Sequence, residues 1–178
     1  MNAATAVKGS ALFLLSLFSC RSIPEGARPV TGFRQERYLG KWYEIARLDF
    51  RFEKNLNNTT AEYSLNADGS IQVLNRGYNY RKQRRQQALG KAKPAGEAGE
   101  GRLKVSFFGP FYAPYNVIAI DPDYRYALVA GKNLRYLWFL SREKTMPEAI
   151  KEKYLRIASE IGYKTDELVW VQHTQEGS

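Results

Sequence analysis

Residues 40–47 read GKWYEIAR. In an extended chain successive side chains point to opposite faces, so a strand over 41–50 puts Trp42, Glu44, Ala46, Leu48 and Phe50 on one face. Four of these five are apolar, and Lys41, Tyr43 and Arg47 fall on the other face. That alternation predicts a half-buried strand, with Glu44 facing inward as a structural carboxylate.

Working outward, short apolar and aromatic segments recur with turn residues between them. They cover 59–65, 70–80, 84–93, 102–107, 115–120, 124–130 and 136–141. With 41–50 this makes eight strands. Connections such as NADG (66–69) and GKN (131–133) are short enough for antiparallel hairpins. Eight meandering strands close most economically into an up-and-down barrel, which leaves no exposed sheet edge. The predicted class is therefore all-β: an eight-stranded antiparallel barrel with one α-helix packed outside. The helix has Thr145 and Glu148 as a capping box around Pro147, an apolar stripe of Ile150, Tyr154, Ile157, Ala158 and Ile161, and Gly162 as its stop. A last strand over 168–172 is expected beside the first.

At the N-terminus, the apolar run 11–18 is too short to span a bilayer, which needs roughly 20 residues. It has the length of an export signal's core, preceded by Lys8 and followed by small Ser19 and by Cys20. The domain plan that follows is 1–19 signal peptide, 20–36 tether and lead-in, and 37–178 a single barrel domain. Cys20 is the chain's one cysteine, so no internal disulfide can form. Lys8 is the sole charge ahead of it, and the remainder keeps nearly all of the +9 net charge. Such a surface favours anionic partners. Export disfavours nucleic acid among them.

LFSC (17–20) resembles a bacterial lipobox, which implies acylation of Cys20 and, with Arg21 rather than an aspartate next, sorting to the outer membrane on its periplasmic side. The barrel sequence resembles the lipocalin family in three places: Gly40, Trp42 and Tyr43 in GKWYEIAR; Asp121, Asp123 and Tyr124 in DPDY; and Arg142 closing YLWFLSR. RYLGKWYEIAR, KVSFFGPFY and YNVIA look most like the bacterial outer-membrane lipoprotein branch, with plant temperature-induced lipocalins and apolipoprotein D as more distant relatives. The resemblance implies that Trp42 and Arg142 meet at the closed end and that the barrel is a calyx for a small hydrophobic ligand.

Connections in such a barrel alternate between its ends. Those after strands one, three, five and seven contain Arg51, Lys54, Arg81, Lys82, Arg84, Arg85, Lys132 and Arg135, with the acid Glu53; those after strands two, four and six contain Asp68, Glu97, Glu100, Asp121 and Asp123. The first set surrounds the mouth opposite Trp42, so Arg81, Lys82, Arg84, Arg85 and Arg135 are the expected head-group rim. Strand alternation predicts Ala46, Leu48, Phe50, Tyr63, Val73, Val105, Phe107, Tyr115, Val117, Tyr126, Leu128, Tyr136, Trp138 and Leu140 as the calyx lining. FFGPFYAPY (107–115) is expected to be a loop with aromatics at the mouth. The implied ligand is a fatty acid or lysophospholipid, and the expected state a monomer or weak homodimer. His173 is the only histidine and is expected on the tail's surface, which leaves no material for a metal site, a cofactor or histidine acid–base chemistry. A binding protein, not an enzyme, is the reading. An envelope-tethered interaction module without lipid, or less readily a lipocalin-fold enzyme, stays open at this level.

Overall fold

The computed structural model describes residues 22–174. The export signal 1–19 and Cys20 lie outside the described residues. The chain runs through α1 (Gln35–Tyr38), β1 (Gly40–Leu48), β2 (Leu56–Leu65), β3 (Ile71–Asn79), β4 (Arg84–Pro94), β5 (Arg102–Phe108), β6 (Phe111–Ile120), β7 (Tyr126–Ala130), β8 (Leu137–Ser141), α2 (Glu148–Ile161), a 3-10 turn (Thr165–Glu167) and β9 (Leu168–Trp170). Each of β1 to β8 pairs antiparallel with its neighbour in sequence, and β8 returns to β1, closing the barrel.

The first strand has two partners on one edge. Its start, from Gly40 to Tyr43, pairs with β2, while Ala46 to Leu48 pair with β9. Between them the register against β8 shifts from Glu44↔Leu140 to Ala46↔Phe139. This bulge inserts one extra residue and reverses the facing of everything after it.

Two apolar clusters result. One fills the barrel, with Trp42, Tyr38, Tyr63, Val73, Val117, Val129 and Leu140 among its members. The other lies between the wall and α2, where Ile45, Ala46, Leu48, Tyr126, Leu128 and Phe139 meet Tyr154 and Ala158. The helix buries Tyr154 and Ala158 and rests Ile150, Ile157 and Ile161 on the same cluster, as its stripe predicts. It ends at Gly162, whose left-handed φ of 101° aims its N–H back at the Ala158 and Ser159 carbonyls. The capping box does not form: the N-cap is Pro147, which has no side-chain donor or acceptor. Thr145 instead offers its backbone carbonyl to Ser141 Oγ.

The described part of the N-terminal segment is packed, not tethered loosely. Ser22 holds Asn116 through its carbonyl, Val30 bonds Val117 and Gly101, and Arg34 N–H reaches the Tyr124 hydroxyl. The expected loop 107–115 is also more ordered than its prolines suggest. Phe108 and Phe111 pair across a two-residue turn, and Phe111 to Pro114 belong to β6.

Candidate functional site

The closed end is built around Trp42. Its Nε1–H donates to the Tyr38 carbonyl at 2.8 Å, and the Arg142 guanidinium lies 3.8 Å from the indole centroid. Arg142 donates to the carbonyls of Tyr124, Lys41 and Arg37 at 3.1, 2.9 and 2.9 Å. A cation stacked on an indole and held by three backbone carbonyls is a structural plug. Gly40 lies beside the Arg142 guanidinium at φ 90°, a backbone conformation that favours glycine. Asp121 accepts the N–H groups of Asp123, Arg125 and Tyr126 and thereby fixes the β6–β7 turn, with Tyr124 at φ 58°. Tyr43 faces outward, edge-on to the His173 ring. His173 is not a free surface residue: its Nε2 donates to the Glu44 carbonyl at 2.8 Å, and partial burial holds its pKa below the ordinary value.

Above the plug, the barrel interior holds Tyr63, Val73, Val117 and Leu140, with Val105, Phe107, Tyr115 and Trp138 packed against them. Gly90 makes room for one of these, because a Cβ there would come within 2.7 Å of the Phe107 ring. Toward the mouth Tyr136 stacks on Trp138 at a centroid distance of 6.3 Å, and Phe50 stands edge-on to the two at 5.5 and 5.8 Å. Four of the expected lining residues are corrections. Ala46 and Leu48 follow the β1 bulge and face α2, leaving Arg47 on the inside. Tyr126 and Leu128 pair with Ser141 and Phe139 and also lie under α2, so Ala127 and Val129 take the interior positions on β7.

Glu44 faces inward as strand alternation predicts, but alternation missed its polar partners. Arg47, almost wholly buried, donates to Glu44 Oε1 at 2.7 Å and to the Glu53 and Leu56 carbonyls at 2.7 and 3.2 Å. Glu53 in turn accepts Trp138 Nε1–H at 3.0 Å. Burial pushes both carboxyls above the ordinary carboxylate range, against the opposing pull of Arg47. The network ties the 49–55 connection to the wall. Beside it, the Tyr38 and Tyr63 hydroxyls meet that of Tyr115 at 2.6 and 2.9 Å. Burial raises all three pKa values, so they stay protonated and able to donate. Thr59 Oγ1 and Asn75 Oδ1 are buried without a protein partner. Asn75 shares the interior face through its pairing with Ala61.

Arg81, Lys82, Arg84, Arg85, Lys132 and Arg135 are exposed in or beside the β3–β4 and β7–β8 connections, and Arg51 and Lys54 are exposed in the β1–β2 connection. Glu53, the acid among them, is turned inward.

A barrel plugged at one end, open and cationic at the other, with a helix laid on its wall, is the architecture of a small-ligand calyx. A family model described as a lipocalin-like domain matches residues 34–173. The outer membrane lipoprotein Blc of Citrobacter freundii is 48% identical over 92% of this chain and 92% of its own length. Its counterpart in Escherichia coli (strain K12) is 47% identical over 95% and 94%. Insecticyanin of the tobacco hornworm Manduca sexta superposes with a TM-score of 0.68 at 20% identity, over 84% of this chain and 85% of that one, which speaks to the fold alone. The chain belongs to the lipocalin family. Its location is that of its bacterial relatives, the outer membrane, through a lipid anchor.

Proposed function

We propose that the calyx binds a single-chain lipid, a fatty acid or lysophospholipid, and stores or carries it at the periplasmic side of the outer membrane. The observation that carries this reading is an apolar interior opening at the end where the cations concentrate. The tail would lie among Val73, Val105, Phe107, Val117 and Trp138, and an anionic head near Arg81, Lys82, Arg84, Arg85 and Arg135. Burying a chain gains about 0.8 kcal/mol per methylene against water, but almost nothing against a bilayer. A lipid with one chain leaves the bilayer more readily than one with two and fits a narrow barrel better.

Catalysis has no place in this reading, since Glu44 and Glu53 are engaged by Arg47 and Trp138. The chain would act as a monomer or weak homodimer. Its anchor would be Cys20, acylated after removal of residues 1–19, and Cys20→Ala should release the protein from membranes or leave it unprocessed; maturation and normal outer-membrane fractionation of Cys20→Ala would refute that site. For the ligand, the chain is extracted from membranes and its bound lipid identified by native mass spectrometry. Stoichiometric single-chain lipid is expected, displaced by a fluorescent fatty acid. Protein that carries no lipid and displaces none would instead support an interaction module.

A further inference from the structure

Of the ten large apolar side chains left exposed among the described residues, Leu65, Leu89, Val169 and Trp170 lie on the walls or at the closed end, and the other six gather toward the open end. Phe52 lies in the β1–β2 connection, Tyr80 in β3–β4, Phe108 and Phe111 flank the β5–β6 turn, and Leu134 lies in β7–β8. All four connections of the open end therefore present one or more, with Phe52, Phe108 and Phe111 exposed to 62%, 69% and 79%. Phe52 and Phe108 approach each other across two of these connections, at 6.1 Å between ring centroids. The mouth's cations are interleaved with them, and the Arg51 guanidinium stacks on Phe52 at 4.7 Å. Neighbouring aromatics and cations make the composition that settles at the head-group level of a membrane carrying negative lipids.

The path of the N-terminal segment points the same way. Arg34 is bonded to Tyr124 at the closed end, and the segment runs back along the wall to Ser22. There Asn116 Nδ2 joins the Ser22 carbonyl to that of Ala130, the last residue of β7 before the mouth connection. Gly26 packs on Ile161, whose neighbour Gly162 approaches Leu134. The described segment thus begins at Ser22, beside the end of β7 that leads into a mouth connection.

We propose that the open end is a membrane-docking face. Phe52, Tyr80, Phe108, Phe111 and Leu134 rest in the interfacial layer of an anionic bilayer, the surrounding cations hold its head groups, and the N-terminal anchor enters the same bilayer beside them. The calyx mouth then faces the lipid and not the aqueous compartment. This orientation does not depend on what the calyx holds.

The test uses the full chain, extracted from membranes and reconstituted into vesicles of phosphatidylethanolamine and phosphatidylglycerol. F111C at the mouth and A67C in the β2–β3 connection at the other end each carry a polarity-sensitive dye, and the unsubstituted chain treated alike shows what Cys20 contributes. The dye at 111 should shift to the blue and be quenched by lipids brominated along their acyl chains, while the dye at 67 should do neither. Phosphatidylcholine vesicles or high salt should weaken the response at 111. L134C reports from a second connection should F111C fold poorly. Equal, water-like emission at both ends overturns the proposal. So does a blue shift at 111 that needs no vesicles and grows with protein concentration, which would assign the face to a second copy of the chain.

Discussion

The two ends of this barrel solve opposite problems. At the closed end every strong group is consumed internally: Trp42 donates to Tyr38, Arg142 serves three carbonyls and covers the indole, and Asp121 accepts three backbone N–H groups. At the open end large aromatics and cations stand exposed, while Glu53 is drawn inward by Trp138 and Arg47. Groups engaged in the interior hold a fold together, whereas exposed ones can meet a partner. The contrast teaches that substitutions at the closed end should be read as changes in stability, and those at the open end as changes in what the protein holds.

The largest expected effect breaks the closed end. Trp42→Ala removes a fully buried indole and strands the Arg142 guanidinium, and should cost about 3–5 kcal/mol as a large-to-small core change. Denaturant titration measures it, and the preference among ligands should change far less than the midpoint. An unaltered midpoint would contradict the plug.

An intermediate effect should come from the strut between the two ends. Glu44 and Glu53 have raised pKa values in the fold, so the folded state binds protons more tightly than the unfolded chain. Their contribution to stability is therefore full below the ordinary carboxylate range and is lost as pH rises through the raised values. Glu53→Gln keeps the neutral form at every pH. Its melting temperature should fall less steeply than that of the unsubstituted chain as pH climbs across that window; an identical slope would show that Glu53 does not titrate there.

The smallest effect belongs to the open end and should appear in binding alone. Arg84→Glu with Arg85→Glu should weaken an acidic single-chain lipid severalfold while sparing a neutral lipid of equal length. Salt should shrink the loss, since charges are screened beyond about 8 Å at physiological ionic strength. Fluorescence displacement at low and high salt separates the outcomes: equal weakening of both lipids would mean that this connection shapes the mouth sterically.

Much of this contrast is already written in local pattern. The count and order of the barrel strands, the apolar stripe of α2, its stop at Gly162, and the separation of basic from acidic connections all follow from neighbours in the chain. The plug could be placed as well, through the likeness carried by Gly40, Trp42 and Arg142. The capping box was misplaced for a local reason of its own, because Pro147 had already started the helix.

What tertiary structure alone decided is which way side chains face and which polar groups find each other. Period-two alternation holds until a bulge, and no residue near Ile45 announces that β1 will shift register against β8. That one shift sends Ala46 and Leu48 under α2 and turns Arg47 inward. The same holds for β7, where Tyr126 and Leu128 lie under the helix because of the strands they pair with. The tyrosine trio joins residues 38, 63 and 115, and Trp138 reaches Glu53 from 85 positions away, across separations that no local window spans. Sequence by itself determined a barrel with one basic end, because periodicity and turn chemistry are properties of adjacent residues, and the family likeness added the plug. Register and burial are properties of pairs brought together by folding, so the partners of Glu44, and the packing of the N-terminal segment against the wall, became visible only in three dimensions.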